Sequence, residues 1–398
     1  MCRKILFIRF GSLGDVILTS PIVLNVRINF PQAEILFLTK ERFRPVVQSF
    51  GEVDRIVALP DHASLTQVMA IIDSLDGEGI DTIVDLHGNF RSWLIRTTVT
   101  ANARAHYPKR RIERIPWIAR RRRTQEYPHT VDLYNDTLRQ MDRAAYADRP
   151  VLHFSTLSED WRERIPQDCP VVVVGPGAAH PNKQWPVERF AEVARRLHEE
   201  HGAVILWTVM QADAGKSGLE GEFPPGHFHE LADLDFASLR DVFARADVAL
   251  TNDSGLGHLA SAVGTPVLTV FGPTHPYLGF APRGLFDRVL EVDEPCRPCS
   301  RHGKTPCHRE ERFCFTRISA ERAFAQLSDM LQVVHSRQPA LFVDRDGTIM
   351  GNRHYLSDPD GVVLLDGAVE GLLRAAAKGY RLVMVSNQSG VARGFFDI

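Results

Sequence analysis

No stretch of this chain approaches the roughly 20 consecutive apolar residues that a membrane-spanning helix needs. The longest apolar runs, such as Val171–Val174 and Val267–Phe271, are far shorter, so no spanning helix is expected. An excess of one charge is also missing: 47 Lys and Arg stand against 49 Asp and Glu, a net charge of -2. That balance removes any whole-molecule attraction to nucleic acid, and no nucleic-acid partner is expected. Cysteine is scarce, at six in 398 residues. Low-complexity segments and internal repeats are absent. A secretory cleavage site is absent too: Met1–Phe10 runs from charged to apolar and straight into a glycine-rich turn, which reads as a first strand. A cytoplasmic protein is expected, and in a reducing cytosol a disulfide framework is not.

What is present is apolar material for two cores and part of a third, with 44% of residues hydrophobic and 24% charged. Strands are predicted at Ile5–Arg9, Ile35–Leu38, Arg55–Leu59 and Thr82–Leu86. After the polar, proline-punctuated stretch Ser155–Pro170 the alternation restarts, at Val171–Val174, Ala203–Thr208, Val248–Thr251 and Val267–Phe271. Runs that are apolar on both faces belong in parallel sheets covered by helices on both sides. Two doubly wound α/β halves follow, 1–155 and 156–335, and such sheets bind ligands beyond the carboxyl ends of their strands. A cleft between the halves is expected. A third α/β segment, 340–398, starts with the strand Leu341–Val343 and includes the strand Arg381–Val385.

Three places carry chemistry. The first strand runs into Phe10-Gly11-Ser12-Leu13-Gly14-Asp15, ahead of a helix predicted over Val16–Val26. Glycines there let a ligand approach the backbone, and the free N–H groups of a helix start favour anions. The spacing lacks the third glycine of the dinucleotide fingerprint, and Asp15 could serve simply as a helix cap. Lys183 follows the turn Gly175-Pro176-Gly177 and precedes Trp185-Pro186. Asn252-Asp253-Ser254-Gly255-Leu256-Gly257-His258 follows a strand and opens a helix through Ala262. Positive charge is concentrated between Arg104 and Arg123, where Glu113 is the one acid. That run is either a solvated face or a docking surface for a polyanion or phosphorylated lipid headgroups.

The segments RFGSLGDVILTSP, DLHGNFRS, NKQWP and NDSGLGHLASAVGTPVLTVFGPTHP resemble, in order and over about residues 1–335, glycosyltransferase family 9, the family of the heptosyltransferases. The resemblance implies a GT-B fold of two facing Rossmann-like domains. It also implies ADP-heptose as donor and inverting transfer to a sugar hydroxyl of the lipopolysaccharide inner core. Asp15 matches the family's catalytic base, and Gly14, Lys183, Ser254, Gly255 and His258 match positions near the donor diphosphate. Asp253 matches the residue that holds donor sugar hydroxyls. The Kdo- and heptose-containing acceptor would be met by Arg91, Lys109, Arg110, Arg111 and Arg120, at a peripheral inner-membrane surface. Family members carry a glycine-rich turn and a ribose-binding acid after the strand at Ala203–Thr208. This chain departs from that pattern with Val209-Met210-Gln211-Ala212-Asp213, which leaves Asp213 as the substitute.

Cys296, Cys299, Cys307 and Cys314 fall close together, and four thiolates can close tetrahedrally on a structural zinc or iron ion. Free structural thiols and redox chemistry are the other readings. Transfer itself requires no cofactor. Relatives with similar cysteines include a protein-modifying, iron-binding heptosyltransferase group. From Leu341 the chain resembles haloacid dehalogenase-type (HAD-like) phosphatases, especially the heptose bisphosphate phosphatase, with Asp344 as nucleophile, Asp346 as acid/base and Ser386 as phosphoryl-binding residue. Magnesium would be needed only if this part were active. Up to Ile398 the sequence lacks that family's lysine and magnesium-binding acids, so an incomplete, inactive and partly disordered module is expected. A protein-directed heptosyltransferase, a phosphatase whose front half only binds ligand, and a metal-held scaffold are the competing functions.

Overall fold

The structure, a computed structural model, describes residues 3–109, 127–166, 168–210, 213–300, 302–336, 340–351 and 362–386. The chain divides into a compact unit through Leu331 and a second from Gln332 onward.

The first unit contains two wholly parallel sheets. One consists of β1 (Lys4–Ile8), β2 (Glu34–Lys40), β3 (Arg55–Leu59), β4 (Thr82–Asp85) and β5 (Ala103–His106), in the order β3-β2-β1-β4-β5. The alternation of side chains is visible in β1. Ile5 and Phe7 join a core cluster on one face, while Leu6 and Ile8 join a second cluster on the other. All four are fully buried, and each contributes about 1.5–3 kcal/mol of burial. A strand buried on both sides needs helices on both faces.

The second sheet consists of β6 (Val171–Gly175), β7 (Val204–Thr208), β8 (Phe228–Leu231), β9 (Val248–Asn252), β10 (Val267–Val270) and β11 (Arg288–Leu290), in the order β11-β10-β9-β6-β7-β8. In both sheets the strand order reverses once, between β1 and β4 and between β6 and β9. The carboxyl ends of those four strands are where a crevice opens. Asp15 follows β1, Arg91 follows β4, Lys183 follows β6 and Asp253 follows β9.

Three strands carry no sequence signal strong enough to predict. β5, β8 and β11 are short edge strands with polar residues, and their sheet partners impose the extended conformation. The single helix predicted over Val16–Val26 is in fact two, Leu13–Ile17 and Ser20–Asn29. Pro21 has no N–H to bond backwards, and it is accommodated in the first turn of the second helix.

The second unit has two parallel strands, β12 (Ala340–Asp344) and β13 (Arg381–Val385), and the helix Ala368–Ala377. Its apolar strand residues are largely uncovered, with Phe342 68% and Met384 62% exposed.

Candidate active site

Residues from both sheets of the first unit line one cavity of about 1700 Å³. That exceeds the roughly 300–1,000 Å³ that usually holds one small ligand, and it leaves room for two reactants. Asp15 reaches it from the first sheet, and Lys183 and Asp253 from the second.

Asp15 stands at the start of the helix Leu13–Ile17. Its Oδ2 accepts from the Ser12 N–H at 2.9 Å and the Ser12 hydroxyl at 2.8 Å, so it caps the helix as well as facing the cleft. Its Oδ1 pairs with Arg9 Nη2 at 2.9 Å. Arg9 is itself buried, donating to Gly11 O at 3.0 Å and Leu86 O at 2.5 Å, with its guanidinium 5.6 Å from the Tyr134 ring centroid. Burial alone would raise the Asp15 carboxyl, but the Arg9 charge and the Ser12 hydrogen bonds outweigh it and hold the group below the ordinary carboxylate range.

His87, after β4, packs edge-on against Phe10 at 5.1 Å. Burial, then the Arg9 and Lys109 cations, push its imidazole down to about 3. It is therefore neutral near pH 7.

Across the cleft, Lys183 ends the short turn Pro181–Lys183, and its Nζ lies 2.6 Å from Asp253 Oδ2. The same oxygen accepts from Thr274 Oγ1 at 2.7 Å. Asn252 locks the surrounding loops, accepting from the Trp185 N–H at 2.9 Å and donating to Pro176 O at 2.6 Å. Ser254 stands at the N-terminal boundary of the helix Gly255–Ala262 without a side-chain capping bond. The Ser254 hydroxyl and His258 Nδ1 are buried without a partner among the described residues, although both residues line the cavity. Burial pushes His258 down to about 4 against the opposing pull of Asp253 and Asp15, so it too is neutral. Gly14 shows why that position admits no side chain: a Cβ there would stand 2.5 Å from His258 Cδ2. The helix Leu13–Ile17 thus packs on the helix Gly255–Ala262. Asp213 and Lys216 also line the cavity, with Lys216 Nζ 3.4 Å from Asp213 Oδ1.

Asp15, Gly14, Lys183, Asp253, Ser254, Gly255 and His258 are therefore brought together. The basic residues are less convergent. Arg91 is exposed on the helix Phe90–Thr98 and does not line the cavity. The Lys109 stem passes over Gly88. Arg110, Arg111 and Arg120 lie outside the described residues. Arg104, counted with the basic stretch, belongs to β5 and spends its guanidinium on the carbonyls of Arg96, Ala101 and Val99. It serves as a clamp on a helix end and the loop after it.

The four clustered cysteines line a small cavity of their own, as free thiols, with Cys296 and Cys314 buried and Cys299 and Cys307 half-buried. Burial pushes the Cys314 thiol up to about 12. Among the described residues no three His, Cys, Asp or Glu side chains converge as metal ligands. In the second unit, Asp344 ends β12 and the Ser386 hydroxyl donates to Asp346 Oδ2 at 3.3 Å.

Sequence reasoning assigned no role to Arg9, His87 or Thr274. An arginine at the end of an otherwise apolar strand is a signal that could have found Arg9. His87 and Thr274 both lie within family motifs, in DLHGNFRS and at the FGPTHP end of the long C-terminal motif.

Two doubly wound parallel sheets meet at one cleft, with a carboxylate on one wall and an ammonium with unpartnered donors at a helix start on the other. These features define a GT-B glycosyltransferase. The chain belongs to glycosyltransferase family 9 (heptosyltransferase), whose model matches residues 68–307. It is 28% identical over 378 residues to lipopolysaccharide heptosyltransferase 1 of Pseudomonas aeruginosa, a match covering 82% of this chain and 98% of that protein. The solved structure of E. coli ADP-heptose lps heptosyltransferase II superposes with a TM-score of 0.64 at 21% identity, covering 84% of this chain and 100% of that one. The tail is 48% identical over 59 residues to D-glycero-beta-D-manno-heptose-1,7-bisphosphate 7-phosphatase of Photorhabdus laumondii. That match covers 15% of this chain and only 31% of the phosphatase. No helix among the described residues is long and apolar enough to cross a membrane.

Proposed function

We propose that this enzyme transfers heptose from ADP-heptose, with inversion, to a sugar hydroxyl of the lipopolysaccharide inner core. The observation that carries the reading is that Asp15, after a strand of the first sheet, and the Lys183–Asp253 pair, after strands of the second, line one cavity with room for two reactants. The acceptor hydroxyl would donate to the Asp15 carboxylate, which is ionised at neutral pH because Arg9 and Ser12 hold its pKa low. A carboxylate this weakly basic takes the proton late, once the new C–O bond has made the hydroxyl acidic. Charge then building on the β-phosphate of departing ADP would meet Lys183, the Ser254 and Gly255 N–H groups and the unpartnered Ser254 hydroxyl. Asp253, paired with Lys183, is tolerable beside a diphosphate and can accept from donor sugar hydroxyls.

The acceptor's anionic groups would face Lys109 and the basic stretch after it, with the enzyme cytoplasmic and peripheral at the inner membrane. Transfer in this scheme needs no cofactor. An all-thiolate donor set is one that a structural zinc or iron ion favours, but the four cysteines share their cavity as free thiols that do not converge as ligands among the described residues, so no ion is proposed there. For the second unit we propose no turnover of its own. To test the main reading, the purified protein is incubated with ADP-heptose and a panel of Kdo-bearing and heptose-bearing core acceptors. ADP release with a product one heptose heavier is expected, and ADP release that no core acceptor stimulates would refute it.

A further inference from the structure

The loop carrying the four cysteines is bolted to the sugar-nucleotide wall from both sides. Arg297, 1% exposed, donates to Gly272 O at 2.5 Å and Thr274 O at 3.0 Å and pairs with Glu291 at 2.7 Å. The N–H groups of Cys299 and Ser300 both donate to Pro273 O, at 3.1 and 3.3 Å. Further along, Arg312 donates to Pro181 O at 3.1 Å and Gln184 O at 3.3 Å, and Asn182 Nδ2 donates to Thr305 O at 3.0 Å. The loop therefore grips the turn that carries Lys183.

Between those anchors lies Gly303, buried and with a φ of +76°. A Cβ at this position would overlap Lys183 Cγ and come within 2.7 Å of its Cδ. The loop backbone is thus laid directly on the lysine stem. A free lysine stem is among the most flexible of side chains, and here it is held so that Nζ meets Asp253. The next residue, Lys304, is exposed, lines the same cavity and makes no ion pair among the described residues.

We propose that the cysteine loop, in its described residues 296–300 and 302–314, is a working part of the donor site. Gly303 is a positioning residue that acts through Lys183, and Lys304 supplies a second cation to the donor diphosphate. The inference rests on the nucleotide-sugar reading above. It goes beyond that reading because it makes donor binding depend on a loop that lies after the motif ending at Pro276 and holds none of the donor-site residues named above.

The experiment is ADP binding by calorimetry on the full chain carrying Gly303→Ala, Lys183→Ala, both together, and Lys304→Ala. Gly303→Ala should weaken ADP about tenfold in the otherwise unaltered protein and by less than twofold when Lys183 is already alanine. Lys304→Ala should weaken ADP about threefold or more in either background. If Gly303→Ala alone fails to fold, the double variant, in which the overlapping lysine carbons are gone, should recover a cooperative melt. A Gly303→Ala effect that simply adds to that of Lys183→Ala, or a fold lost in both backgrounds, would overturn the positioning role. An unchanged affinity in Lys304→Ala would overturn the second cation. ADP binding that ignores Gly303 and Lys304 defeats this inference alone, whereas no ADP binding by the unaltered protein defeats the donor reading and this inference with it.

Discussion

Arg9 Nη2 stands 2.9 Å from Asp15 Oδ1, so the charge that keeps the candidate base ionised comes from the end of the strand that delivers it. Both groups are largely removed from water, with side-chain exposures of 7% and 25%. Removing the guanidinium leaves a carboxylate that burial pushes up and nothing of equal strength pulls down. Arg9→Met should therefore move the acidic limb of the kcat/KM profile to higher pH. It should also lower stability by about 3 kcal/mol, the usual cost of orphaning a buried ion pair. A pH–rate series with a parallel urea melt measures both, and an acidic limb that stays in place would dissociate Arg9 from Asp15.

The two walls make separable predictions. Asp15→Asn should reduce kcat by about 10²–10⁴-fold while ADP affinity stays within about twofold, because the nucleotide is assigned to the opposite wall. Loss of ADP binding in this variant would place the donor elsewhere.

Lys183→Ala should cost on the order of 3 kcal/mol in kcat/KM, and it leaves the nearly buried Asp253 without its cation. Asp253→Asn should instead weaken ADP-heptose more than it weakens ADP, since Asp253 is assigned to sugar hydroxyls. Equal losses for the two ligands would remove that assignment.

The low values of His258 and His87, about 4 and about 3, carry a stability consequence. Between those values and the unfolded histidine value of 6.5 the unfolded chain binds protons that the folded chain does not. Stability should therefore fall as pH drops below about 6.5, by up to about 3 kcal/mol for His258 at pH 4. His258→Gln should flatten that slope in thermal melts across the window. Neither His87 nor His258 should add a break to the activity profile near pH 6.5.

Phe342 and Met384, each more than half exposed on β12 and β13, show a second unit whose sheet is not covered by a core. The full chain should show no magnesium-dependent phosphatase activity on a heptose bisphosphate, and Asp344→Ala should leave heptose transfer unchanged. Phosphate release that requires both magnesium and Asp344 would reverse this view.

Much of this enzyme was legible in the chain because its signals are local. Short, β-branched apolar runs bounded by proline and glycine, such as Val171–Val174, read as interior strands, and a glycine turn between strand and helix fixes where a ligand can approach. The pairing of both sheets around Asp15, Lys183 and Asp253 followed from those signals together with the family motifs. Local pattern also misled, where Pro21 split a helix that periodicity ran together and where Arg104 proved to be a carbonyl clamp. Tertiary structure alone decided which groups touch. Arg9 reaches Asp15, Thr274 and Lys183 share one oxygen of Asp253, and Gly303 lies against the Lys183 stem, a neighbour more than a hundred positions away. Such contacts depend on how loops from different strands fold over one crevice. They are set by packing and charge in three dimensions, of which spacing along a sequence keeps no record.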